Sequence, residues 1–278
     1  MKIERLLAGC IDLEVIRGGS GPPALVLHGP TTYNPDTPFL GLLGQAFSIV
    51  APSHPGFGES ARPDDVETVY DLVHVYQDVL DTLPDEPVTL IGCSFGGWLA
   101  AELAVSYGHR LARLILIDPV GIKVGGREDR DITHLFNTSP DELARRAWHD
   151  PARQRPGLLG LGWQQHLDAM PDAELVRMAR GSDALCLYAW RPHLYNPSLK
   201  RWLRRIAVPT LLLQGASDRI VAPGYAEAYA GLIPGAQLQA IAEAGHHPEL
   251  EQPEAVVERI RRFLHGRQPG GAAGVTVR

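Results

Sequence analysis

Hydrophobic residues along this 278-residue chain cluster into short runs of two kinds. One kind is continuous: "ALVLHG", bounded by Gly21-Pro22-Pro23 and Gly29-Pro30, then "FSIVAPSHPGFG", "VTLIG", "RLILID" and "PTLLLQG". Unbroken Val, Ile and Leu between turn residues mark strands buried on both faces. The other kind is helical. From Val66 to Leu83 the apolar positions Val69, Leu72, Val73, Tyr76, Val79, Leu80 and Leu83 recur at helical spacing, and Pro84 closes the run, which predicts a helix with one buried face. Helices are predicted likewise over 97–107, 222–232 and 253–264, and a further strand at "AQLQAIA". At the start, "IDLEVIRGG" followed by "ALVLHG" reads as a hairpin leading to a buried strand. Such alternation implies an α/β fold: a mainly parallel sheet with helices on both faces.

Between about Val120 and Ile206 the rhythm stops. Helix-like pieces ("SPDELARRAWHD", "PDAELVRMARG", "SLKRWLRRI") follow one another without a buried strand, and aromatics and histidines concentrate there, among them Trp148, Trp163 and Trp190. The segment is expected to be a mostly helical cap over 120–206, inserted into a core of 1–119 and 207–267. The Gly-rich tail over 268–278 is expected to be flexible.

Composition removes several classes of function. Hydrophobic residues make up 45% of the chain, enough for a full core, and the net charge of −6 is spread over interspersed acids and bases. No Lys/Arg run is long enough to track a phosphate backbone, so nucleic acid is not an expected partner. No stretch approaches the roughly 18 apolar residues of a membrane span, and "MKIERLLAGCIDLEV" lacks the pattern of a cleaved leader; the expected location is cytoplasmic. Cys10, Cys93 and Cys186 are scattered, with neither a disulfide framework nor metal-ligand spacing. Neither a metal nor an organic cofactor is expected; the expected partner is a small-molecule substrate, and a homo-oligomer is allowed.

Chemistry concentrates at "LIGCSFGGWLAAEL". Here Gly92-Cys93-Ser94-Phe95-Gly96 fits G-x-S-x-G at the join of a strand and a helix, where a sharp turn exposes a serine at the helix N-terminus. Glycines at 92, 96 and 97 imply that something comes very close to Ser94. A serine hydroxyl needs an adjacent base, and "EAGHHPELEQPE", after the last strand, offers His246 or His247, with His246 preferred. The base needs an orienting carboxylate: Asp218 in "LLLQGASDRIVAP" is the candidate, and Asp118 in "LILIDP" its competitor.

These motifs, in this order, resemble the α/β-hydrolase superfamily, in a capped form with a serine nucleophile, and the resemblance runs over nearly the whole chain. It includes "LVLHG" with its following loop, "PSHPGFGES", the elbow, "PTLLLQGASD" and "AGHHPELEQP". It implies an α/β-hydrolase fold, the triad Ser94, Asp218 and His246, and an oxyanion hole made by the Phe95 amide and a donor just after His-Gly. That second position is Pro30, which has no N–H, so Thr31 becomes the candidate donor. His28, Pro30, Trp148, Trp163, Trp190 and His247 are candidate substrate contacts. The expected activity is hydrolysis of a small to medium, mostly apolar ester, thioester or lactone through an acyl-enzyme. The Pro30 departure motivates an alternative with the same triad: carbon–carbon bond hydrolysis, or a cyclisation or acyl-transfer step. "HGPTTYN" and His247 replace the glycine-rich loop and the tryptophan common in carbon–carbon hydrolases of this fold. A third reading is a non-catalytic ligand-binding protein on the same fold.

Overall fold

The computed structural model describes residues 1–153 and 170–266. Eight strands form one sheet in the order β1-β2-β4-β3-β5-β6-β7-β8. They are β1 (Lys2–Ala8), β2 (Ile11–Gly19), β3 (Pro23–Leu27), β4 (Ser48–Pro52), β5 (Val88–Cys93), β6 (Leu111–Ile117), β7 (Thr210–Gly215) and β8 (Gln237–Ile241). From β4 to β8 every pairing is parallel. The N-terminal hairpin is β1 with β2, and β2 lies antiparallel on β4 rather than beside β3. The chain turns at Gly9, whose φ of +57° suits a residue without Cβ.

The continuous hydrophobic runs are buried on both faces, as their pattern requires. Leu25, Leu27, Leu90, Leu114, Leu116 and Leu212 pack on one side, against α2 (Val69–Asp81) and α3 (Phe95–Tyr107). Ala24, Val26, Ile91, Ile115, Ile117, Leu211 and Leu213 face the other side, against α1 (Pro38–Leu43) and the C-terminal helix. Helix α2 begins three residues later than its apolar pattern suggests. Thr68 caps it, accepting from the Asp71 amide at 3.2 Å while Asp71 reaches back to the Thr68 amide at 2.9 Å, so the capping box decides the boundary.

Between Ile117 and Thr210 the described residues contain helices and no strand: α4 (Pro140–Ala147), α5 (Asp172–Ala189) and α6 (Leu199–Trp202). The rest of the chain supplies α7 (Tyr225–Gly231), α8 (Pro248–Glu251) and α9 (Pro253–His265). Helix α5 is tied to the sheet by polar contacts: Arg177 donates to buried Glu14 at 2.9 Å and to Glu59 at 3.3 Å, Arg180 to the Ser60 carbonyl at 2.9 Å, and the Tyr188 hydroxyl to the Pro55 carbonyl at 3.1 Å. These contacts place α5 over the loop after β4, close to the C-terminal ends of the central strands. Trp163 and the tail over 268–278 lie outside the described residues.

Candidate active site

Strand β5 ends directly in the elbow, and Ser94 takes φ +50° and ψ −112° ahead of α3, a backbone state that L-residues seldom adopt and that reactive elbows hold by surrounding packing. The neighbouring glycines explain how the strain is held. A Cβ on Gly92 would strike the Gly96 carbonyl, and one on Gly96 would strike the Leu27 and His28 carbonyls. What comes close to Gly92 and Gly96 is therefore main chain: these glycines let α3 pack hard on β3 and β5.

The turn aims Ser94 at the loop after β8. Ser94 Oγ and His246 Nε2 are 2.8 Å apart, and His246 Nδ1–H donates to Asp218 Oδ2 at 2.9 Å. Ser94 is 7% exposed and His246 5%, so the relay is nearly dry. Asp218 Oδ1 also accepts the Ile220 amide at 2.7 Å. Burial works to raise the Asp218 pKa, but the charge of His246 and its hydrogen bond outweigh it and hold the carboxyl below the usual carboxylate range. Asp118, the competing acid, lies behind this pair. It contacts Asp218, and burial together with that neighbouring charge pushes it well above the usual range.

The His246 loop is held by a residue the motif reading passed over. Buried Glu251 accepts the Gly245 amide at 2.6 Å, the His149 amide at 3.0 Å and the Asp150 amide at 3.3 Å, while the His246 amide donates to the Ala147 carbonyl at 2.7 Å. One carboxylate thus joins the loop after β8 to the segment after α4. In the sequence, the sole hint was an acid closely following "GHHP"; its partners His149 and Asp150 lie about a hundred residues away.

The remaining candidates separate cleanly. Pro30 and His247 line both a small cavity of about 30 Å³ at Ser94 and a larger one of about 590 Å³ beside it. Thr31 lines the larger cavity, and among the described residues its amide and hydroxyl have no hydrogen-bond partner. The oxyanion loop runs tightly over the nucleophile: a Cβ on Gly29 would lie 3.3 Å from Ser94 Cβ. Phe95 opens α3, so its amide has no acceptor within the helix.

His28 is corrected from a substrate contact to a buried support of the loop. It is 1% exposed, its Nδ1–H donates to the Gly29 carbonyl at 2.8 Å, and its Nε2 accepts the His54 amide at 3.0 Å. His54 Nε2–H returns a bond to the His28 carbonyl at 2.9 Å and its Nδ1 meets the Tyr76 hydroxyl. Burial, partly offset by the bond to Gly29, lowers the His28 pKa to about 4; burial and His28 push His54 well below its ordinary value. Both rings are buried, and neither lines the two cavities at Ser94. Trp148 is also buried, 2% exposed, with its ring 5.3 Å from that of His247, so it backs that histidine and lines neither cavity at Ser94. Trp190 is 48% exposed and packs on Phe136 and His134, away from Ser94's small cavity.

The smaller cavity is closed by Val120, Leu135, Leu143, Ala147, Leu194 and Ile220 around Ser94 and His246. The larger is mixed: Phe57, Phe136 and Leu185 stand beside Asn34, Glu174, Arg177 and Glu249. Arg177 is the one Lys or Arg among its described lining residues, and its guanidinium is already held by Glu14 and Glu59.

An eight-stranded, mainly parallel sheet with a strained serine at a strand–helix elbow, a histidine after the last strand and an acid after the strand before it defines an α/β hydrolase. The chain belongs to the alpha/beta hydrolase family, whose model matches residues 24–259. It is 30% identical over 270 residues to a 2-hydroxymuconate semialdehyde hydrolase of Pseudomonas putida, covering 88% of each chain. Among solved structures it resembles the 2-hydroxy-6-oxo-6-phenylhexa-2,4-dienoate hydrolase of a Rhodococcus species (TM-score 0.74, 21% identity, 95% of this chain and 99% of that one). It is equally similar in fold to a bromoperoxidase of Bacillus anthracis (TM-score 0.74, 18% identity, 95% of this chain and 100% of that one).

Proposed function

We propose that this chain is a serine-nucleophile hydrolase, and that the bond it breaks is a carbon–carbon bond next to a ketone in a small molecule. The observation that carries the hydrolase reading is the continuous relay from Ser94 Oγ through His246 to Asp218, at 2.8 and 2.9 Å. Relatives named as hydrolases of 2-hydroxy-6-oxo-2,4-heptadienoate and of 2-hydroxymuconate semialdehyde, each matching about nine-tenths of the chain, support the choice of bond.

In this reading His246 Nε2 takes the Ser94 proton as Oγ bonds to the carbonyl carbon, while Asp218 holds the Nδ1–H tautomer and stabilises the imidazolium. The Phe95 amide and a Thr31 donor receive the oxyanion. The carbon–carbon bond then breaks with its electron pair moving to the leaving fragment, which takes the proton from His246. Water, deprotonated by the same histidine, releases the acyl group from Ser94 as a carboxylic acid. The aliphatic cavity at Ser94 suits a small apolar group, and the larger cavity suits the other part of the molecule.

One observation favours a second reading, ester hydrolysis. A dienoate carries a carboxylate, yet the larger cavity presents Glu174 and Glu249 beside an Arg177 already neutralised by Glu14 and Glu59. A neutral ester meets no such charge conflict. The test is direct: purified protein is assayed on 2-hydroxy-6-oxohexa-2,4-dienoates, whose loss is followed by absorbance, beside p-nitrophenyl esters of graded acyl length. A kcat/KM higher for the dienoates by tenfold or more supports carbon–carbon hydrolysis; the reverse ranking selects the ester. Ser94 labelling by a fluorophosphonate, lost in Ser94→Ala, tests the nucleophile in either case.

A further inference from the structure

Strand β6 ends at Ile117, and the next residue, Asp118, turns into the protein at φ +41° and is 3% exposed. Its amide is tied to the Leu213 carbonyl at 2.9 Å, and its two carboxyl oxygens share the Gly215 amide at 3.2 and 3.0 Å. Those bonds point the carboxyl across the ends of β6 and β7 at Asp218. Ligating atoms of Asp118, Asp218 and His246 all lie within 4.8 Å of one another. Two buried carboxyls therefore meet, and among the described residues no Lys or Arg forms an ion pair with either; Arg130, Arg146 and Arg219 line a neighbouring cavity with Asp218 without bonding to it. The other titratable groups acting on Asp118 are His246, from the loop after β8, and Glu249, on α8, which adds negative charge.

Two carboxylates in contact away from water cannot both be ionised at neutral pH without a large penalty, so the pair shares one proton. The donors decide where it resides. Asp218 receives two full hydrogen bonds, from His246 Nδ1–H and the Ile220 amide, both of which favour its anion. Asp118 receives one backbone N–H divided between its two oxygens. We propose that Asp118 is a positioning residue: a neutral carboxylic acid whose O–H donates to Asp218, extending the relay one step behind the anion that orients His246. Burial and the Asp218 charge act in the same direction on Asp118. The acid thereby fixes the Asp218 carboxylate in place and keeps a single negative charge behind the imidazole. Its role in turnover rests on the reading of Ser94, His246 and Asp218 as the relay.

The experiment uses Asp118→Asn, Asp118→Ala and Asp218→Asn, with Ser94→Ala alongside. Asparagine accepts a left-handed backbone, offers an N–H to Asp218 and an oxygen to the Gly215 amide, so Asp118→Asn is expected within about threefold of wild-type kcat. Asp118→Ala, lacking a donor, is expected to lose about 10- to 100-fold in kcat with KM little changed. Asp218→Asn is expected to fall by about 10⁴ through the wrong tautomer. Independently of turnover, the wild-type minus Asp118→Asn infrared difference spectrum at pH 7 should contain the C=O stretch of a protonated carboxylic acid. An ionised-carboxylate band in its place, an Asp118→Asn loss as deep as that of Asp218→Asn, or full kcat in Asp118→Ala would each overturn the proposal. Activity retained by Ser94→Ala would instead sink the nucleophile reading, and the infrared result would still decide the state of Asp118.

Discussion

Single residues carry the chemistry here, and their roles separate by what their neighbours leave free. Ser94 has its hydroxyl on His246, while the adjacent Cys93 accepts from the Tyr33 hydroxyl at 3.0 Å and is pushed up by burial, a packing thiol beside the candidate nucleophile. Ser94→Ala is expected to fold normally and lose about 10⁴-fold or more of kcat, because members of a relay act as a unit; circular dichroism and steady-state kinetics on one preparation check both halves. Pro30 has no amide N–H, whereas Thr31, whose donors have no partner among the described residues, lines the neighbouring cavity. Pro30→Gly is accordingly expected to alter turnover less than tenfold. A gain of about 10² or more would mean that the native loop lacks an oxyanion donor. The serine was legible because residue type and flanking glycines suffice to mark it, whereas the histidine and the acid were each narrowed to two candidates, His246 or His247 and Asp218 or Asp118. His28 misled because a histidine beside a catalytic loop looks the same in sequence whether it faces the cavity or the core.

At the scale of elements, the question is what keeps helices in register with the sheet. Helix α2 starts where Thr68 and Asp71 exchange hydrogen bonds. Thr68→Ala is expected to cost about 1 kcal/mol, read as a shift in the urea unfolding midpoint with unchanged slope. Helix α5 depends on a charge from another part of the chain. Arg177 satisfies Glu14, whose side chain is 6% exposed, and Ser53 adds a hydroxyl at 2.8 Å. Removing the guanidinium by Arg177→Met leaves a buried carboxylate short of its cation, expected to cost roughly 3 kcal/mol. The Glu14→Gln, Arg177→Met double variant should recover part of that loss, and a full double-mutant cycle by urea unfolding measures it. The periodic pattern placed α2, α3 and the central strands, since each buries a face set by its own period. It could not reveal the Glu14–Arg177 pair, whose partners are 163 positions apart.

For the whole molecule, the buried histidines make stability depend on pH. His28 is lowered from 6.5 to about 4 by burial, and His193 to about 4 by burial and the adjacent His134. The unfolded chain therefore binds protons that the folded one refuses between those values. Stability is fully present above about pH 6.5 and is lost as pH falls through the window towards 4. Urea midpoints from pH 8 to pH 4 should decline on the acid side of 6.5; a flat profile there would show that these rings are charged at little cost. Among the described residues, no helix is long and apolar enough to cross a membrane.

What the sequence by itself determined was the layered architecture, the candidate nucleophile Ser94, and short lists of two for the candidate base and the candidate acid. Burial on one or both faces writes a period into the chain, and a strand–elbow–helix join demands glycines at fixed offsets from the serine. What only the tertiary structure decided was the order β1-β2-β4-β3 at the sheet edge and the choice between Asp218 and Asp118 as the partner of His246. It also decided the anchoring of the His246 loop by Glu251 and the inward turn of His28. The physical reason is common to all of them. Each depends on which atoms meet across long sequence separations and on which hydrogen-bond donors remain unclaimed, and a one-dimensional pattern of polar and apolar residues carries no record of either.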